Sequence, residues 1–231
     1  MGLKLDNVVP WGRSHAEYQR MFDITIPELE LKILDCGGGP ASFNAEMSRR
    51  GNNNVISCDP VYQFSAEEIA RRIQATYSVI VEGVKAHRDK YVWQGEIASP
   101  TQLGKVRMAA MQQFLADFTE GKKLGRYVTA ELPVLPFDRG QFDLALCSHL
   151  LFLYSDQLDA AFHFHAILEL CRVAREVRIF PLLDISGEHS PHLSGAIREL
   201  RQQGDLVEIR QVDYEFQRGG NQMLRILKME N

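Results

Sequence analysis

The chain is short of several features, and each shortage narrows what it does. Among 231 residues there are four cysteines, Cys36, Cys58, Cys147 and Cys171. No two stand in a C-x-x-C pair, so the usual spacing for structural zinc or thiol exchange is missing. Three of them lie in apolar, strand-like runs, and all four are expected to be buried reduced thiols of a cytoplasmic protein. No apolar run approaches the roughly 18 residues of a membrane-spanning helix, and Met1 to Pro10 contains no apolar secretory segment; neither membrane insertion nor secretion is expected. Positive charge is not in excess. With 26 Lys and Arg against 30 Asp and Glu, the net charge is −4, which offers no global attraction to a polyanion, so nucleic acid is not an expected partner. Internal repeats and low-complexity tracts are absent too.

What is present is an alternation of strand and helix patterns, in a chain that is 45% hydrophobic and 24% charged. That balance suits one domain over 1–231, with an N-terminal helix at 14–22 and a helical insertion at 64–125. Ser14 and Glu17 form a capping box, the pairing in which each side chain satisfies the other residue's backbone amide, ahead of apolar Tyr18, Met21 and Phe22. Leu31 to Asp35 reads as a buried strand running into three glycines, and a helix at 43–50 follows, stopped by Gly51. A second strand, 54–59, ends on Asp59 before Pro60, which disfavours helical geometry at the acid.

The insertion reads as two helices. Ser65 and Glu68 form a second capping box ahead of a stripe of Ile69, Ile73, Ile80 and Val84. Ser99-Pro100 starts the other helix, whose stripe is Leu103, Val106, Ala110, Phe114 and Phe118. Its role is open between a lid over substrate and extra core or a homodimer contact. Strand patterns resume at 126–130, 142–147 and 177–182, with helices at 157–174 and 192–203. The last two alternating runs, 206–216 and 223–229, are joined by Gln217-Arg218-Gly219-Gly220-Asn221 and predict an antiparallel hairpin.

The chemistry gathers around Leu34-Asp35-Cys36-Gly37-Gly38-Gly39-Pro40-Ala41. A glycine-rich turn between strand and helix lets a ligand approach uncovered backbone, a feature shared by several nucleotide binders. Asp59 lies where an acid that holds a ribose is expected. A dinucleotide site of the G-x-G-x-x-G type requires glycine or alanine where this chain has Ser42. Arg13 offers a fork suited to a carboxylate. His149 follows Ser148 at a strand's carboxyl end, where ligands bind in open α/β sheets, either as a base or to orient substrate.

Together these segments resemble class I, Rossmann-like S-adenosylmethionine (SAM)-dependent methyltransferases of the small-molecule type. Their pattern is L-D-x-G-x-G-x-G, then an acid, then L-P-F (Leu135-Pro136-Phe137), then F-D-x-x-x-x-x-H (Phe142 to His149). The resemblance implies a three-layer α/β sandwich with a seven-stranded, mostly parallel sheet and an antiparallel last strand. It implies SAM as cofactor and a small-molecule methyl acceptor. It also implies Asp35 and Gly37, Gly38 and Gly39 under the methionine part, Asp59 on the ribose, Tyr62 and Gln63 beside the ring or ribose, and Thr129 and Ala130 flanking the adenine. Arg13 and Ser148 are further cofactor candidates and His149 is the catalytic candidate. The chain departs from the pattern at three places: Ala41 replaces the third glycine, Thr129 the acid that meets the adenine amino group, and Ala174-Arg175-Glu176 a lysine-proline-glycine-glycine turn.

Overall fold

The computed structural model describes residues 11–229; the reading of Met1 to Pro10 falls outside them. Seven strands form one sheet: β1 (Ile33–Cys36), β2 (Val55–Cys58), β3 (Tyr127–Val128), β4 (Phe142–Ser148), β5 (Ala174–Phe180), β6 (Leu206–Gln211) and β7 (Gln222–Leu227). Their spatial order is β3-β2-β1-β4-β5-β7-β6. The first five run parallel, and β7 lies antiparallel between β5 and β6. This is the α/β architecture expected from the sequence, with the reversed strand inserted one place in from the edge.

Successive residues of a strand face opposite sides of the sheet, so the central strands feed two cores. Ile33, Val55, Leu144 and Leu146 point to the face covered by α1 (His15–Phe22) and α2 (Phe43–Arg49), where Tyr18, Phe22 and Phe43 pack. Leu34, Cys36, Ala145 and Cys147 point to the other face, against α5 (Ala160–Val173) and α6 (Leu193–Gln202). All four cysteines are buried free thiols. Among the described residues no helix is long and apolar enough to cross a membrane.

The insertion forms α3 (Ala66–Ala86) and α4 (Pro100–Lys123), which begin at Ser65 and Ser99 as the caps predict. Phe114 and Phe118 of α4 meet Tyr62 and Tyr127 in an aromatic cluster that fastens the pair to the β3 edge. Two boundaries differ from expectation. Helix α5 runs straight into β5 at Ala174 with no intervening turn. Arg172 secures that junction by donating to the Leu135 and Phe137 carbonyls and pairing with Glu169. Strand β6, expected to reach Phe216, stops at Gln211, because Val212 and Tyr214 turn inward to join the core.

Tyr214 meets a buried ion pair. Glu17 of α1 and Arg107 of α4 are both 1% exposed and bound to each other. The Arg107 guanidinium also donates to the Tyr214 hydroxyl (3.1 Å), which donates to Glu17 (2.9 Å). Burial alone would raise the Glu17 carboxyl, but the guanidinium beside it outweighs burial and holds the acid down at about 2. The same carboxylate accepts from the Ser14 amide, so one group caps α1 and ties it to the insertion. Breaking such a pair strands a charge in the interior. Arg107→Ala is therefore expected to lose about 3–5 kcal/mol of stability in urea unfolding, whereas the double change Glu17→Gln with Arg107→Met recovers much of it. Equal losses in the two variants would refute the charge argument.

Candidate active site

The turn after β1 is built to keep side chains away from its upper surface. Gly37 and Gly39 take φ of +70° and +51°, a left-handed geometry that favours glycine. A Cβ on Gly38 would strike the Asp35 carboxylate, and one on Gly12 would strike the Pro40 carbonyl. Asp35 is 1% exposed beneath the turn, where it accepts hydrogen bonds from the Tyr18 and Ser57 hydroxyls, both at 2.9 Å. Burial pushes its carboxyl up to about 7 against the lowering effect of those two donors.

Asp59 is seated differently. The Gly39 amide donates to one of its oxygens (3.0 Å) and the Val61 amide to the other (2.8 Å). The acid is thus locked to the glycine turn while each oxygen keeps a lone pair for a ligand. Burial raises it to about 6, although the two amides pull the other way.

Gly37 to Gly39 and Asp59 form one side of a cleft. Facing them are Arg13, Ser148 and His149, together with Trp11, Val61 and Gln63. Arg13 donates to the Trp11 carbonyl (2.8 Å), yet its Nε is buried with no partner among the described residues. Burial and the nearby Arg107 cation lower it to about 10, so it remains charged at neutral pH.

His149 adopts φ +52°, a left-handed backbone uncommon for a residue with a side chain. Its amide donates to the Phe180 carbonyl (2.6 Å) and its Nδ1 meets the Ser148 hydroxyl (2.9 Å). Nε2 has no protein partner among the described residues. Burial, then the cations of Arg13 and Arg107, hold the imidazole well below its ordinary pKa, leaving it neutral. Trp11, Arg13 and His149 also line a second cavity of about 110 Å³, so the two spaces share a wall.

The structure therefore brings together Arg13, Gly37, Gly38, Gly39, Asp59, Ser148 and His149, with Asp35 as a support below. Three of the anticipated residues lie elsewhere. Tyr62 is 1% exposed: the 3-10 turn Pro60–Gln63 rotates it inward, where its hydroxyl donates to the Gly39 carbonyl (2.8 Å) and braces the turn from behind. Beyond the short β3, Thr129 is exposed and Ala130 packs on the core, and neither lines the cleft. Sequence reasoning overlooked Trp11, Val61 and Leu150; Trp11's place beside Gly12-Arg13 was the available signal.

A parallel sheet whose last strand is reversed and inserted beside the fifth, with a glycine turn hydrogen-bonded to the acid ending the next strand, has a Rossmann-like α/β architecture. The chain belongs to the same family as the uncharacterized protein MJ0045 of Methanocaldococcus jannaschii, with 32% identity over 225 residues, 97% of this chain and 98% of that one. No family model matches it. Similar solved structures include magnesium protoporphyrin IX methyltransferase from Synechocystis PCC 6803 with bound SAM (14% identity, 93% of this chain and 81% of that one, TM-score 0.43). A SAM-dependent methyltransferase from Aquifex aeolicus is another (13% identity, 91% and 90%, TM-score 0.42).

The packing under the turn leaves no room for a methyl group. Gly38→Ala must displace an aspartate already held by two hydroxyls, and an expected loss of about 1–3 kcal/mol follows from overpacking. Chemical denaturation measures it; an unchanged midpoint would show that Asp35 moves freely.

Proposed function

We propose that the chain is a SAM-dependent methyltransferase acting on a small-molecule acceptor. One observation carries the reading: a cleft floored by the glycine turn, with Asp59 fixed by two amides and Arg13, whose Nε has no partner among the described residues, lining the same space, adjoins a second cavity across His149. The residues fit the cofactor. Asp59 offers an ionised acceptor to a ribose diol, the uncovered backbone of Gly37 to Gly39 accommodates the methionine part, and Arg13 matches an amino-acid carboxylate. A pyrophosphate would call for a cradle of amides or cations, and an acid fixed beside the turn opposes it.

When bound, SAM supplies an electrophilic methyl on a sulfonium. The protein's task is then alignment in a dry space, plus proton removal where the acceptor is protic. Neutral His149, with Nε2 unpartnered at the shared wall, is placed to take that proton. Ser148 at Nδ1 holds the ring's orientation. The apolar, ring-lined walls of the second cavity, together with the net charge of −4, favour a small acceptor over a nucleic acid.

Isothermal titration with S-adenosylhomocysteine tests the reading directly, and absence of binding would sink it. Asp59→Ala is expected to weaken binding by about 1–3 kcal/mol, the cost of losing charge-assisted hydrogen bonds. The pH dependence has a definite sign. Asp59 ionises near pH 6 and the diol prefers the ionised acid, so affinity is full above that value and falls below it. Lowering pH from 7.5 to 5.0 should weaken binding about tenfold. The same titration on Asp59→Ala should keep only a shallower slope owed to Asp35, which burial raises to about 7 beneath the turn; retention of the full slope would assign it to that group.

A further inference from the structure

We infer that the second cavity receives a planar aromatic acceptor that presents a single hydroxyl or ring N–H to His149. The inference rests on the methyl-transfer reading and adds the class of acceptor.

The walls are mostly rings. Tyr91, beyond α3, stacks on Phe216 of the β6–β7 connection with centroids 4.8 Å apart and planes 24° apart. Phe180, ending β5, meets Tyr214 edge-on at 5.7 Å. Ile80 and Val84 of α3 close the remaining side. Flat walls of this kind favour a flat guest through stacked and edge-to-face contacts.

The polar groups narrow the guest further, because most are already occupied. The Tyr214 hydroxyl is engaged by Glu17 and Arg107. The Gln217 amide donates to the Asp184 carbonyl (3.0 Å). With Arg13 given to the cofactor's carboxylate, that leaves the His149 Nε2 toward the cofactor cleft, beside the Trp11 indole N–H. A sugar or polyol would bury hydroxyls against rings that cannot partner them, at a cost for each unsatisfied group. A ring with one ionisable O–H or N–H meets the His149 Nε2 and lays its faces on the aromatic walls. The proton passes to the neutral His149 Nε2 as the acceptor atom bonds to the methyl carbon, while the electron pair of the broken carbon–sulfur bond stays with sulfur.

The probe is 2-naphthol, titrated into the protein saturated with S-adenosylhomocysteine. Binding is expected, with 1-octanol displacing it poorly. Phe216→Leu, which keeps an apolar wall but removes the ring, should weaken 2-naphthol about tenfold and leave S-adenosylhomocysteine affinity within about twofold. Naphtholate absorbance gives a second readout: a phenol whose O–H is held by the neutral Nε2 should ionise at higher pH than the free one, and His149→Asn, whose side chain tolerates the left-handed backbone, should reverse part of that shift. If S-adenosylhomocysteine does not bind the unaltered protein, the methyl-transfer reading falls. If it binds, then failure of 2-naphthol to bind, equal binding of 1-octanol, or indifference to Phe216→Leu overturns the aromatic assignment alone.

Discussion

The buried pair between Glu17 and Arg107 holds the architecture of the site together. It joins three segments distant in the chain: the first helix, the second helix of the insertion, and, through Tyr214, the loop that closes the sheet. Arg13 directly precedes α1, so fixing that helix fixes the shared wall as well. The pair also reaches the chemistry through space. The Arg107 cation contributes to lowering both Arg13 and His149. An interaction that organises the fold thus helps keep the imidazole free of its proton.

The insertion gains a clearer place in this light. Its helices are neither a detached flap nor a separate core. Helix α4 is bound to the β3 edge through Phe114 and Phe118 and to α1 through Arg107, while α3 contributes Ile80 and Val84 to the second cavity. Beneath the other end of the cleft the glycine turn is braced from both sides, by Asp35 with Tyr18 and Ser57, and by Tyr62 from behind.

Features written in local sequence were legible before the structure. The capping boxes at Ser14 and Ser65 depend on residues three apart, the glycine turn on residues without Cβ, and the acid on its position before Pro60; each stands where expected. Features set by contacts across the chain were not. Tyr62 follows Asp59 and reads as a ring-covering residue, but the aromatic cluster from α4 captures it. Tyr214 belongs to an alternating pattern that predicts strand, yet a charge pair formed from residues near positions 17 and 107 draws it out of the ladder. The second cavity draws its walls from five separate stretches of chain, which no local pattern encodes.

His149 shows what that assembly costs. A residue with a side chain held at φ +52° stores roughly 1–3 kcal/mol of backbone strain, and glycine at the same place would release it. The most stable residue for this turn is therefore not the one that carries the imidazole. If the imidazole is the base proposed above, stability and turnover pull in opposite directions at this single position, and a stabilised variant obtained here would bind without reacting.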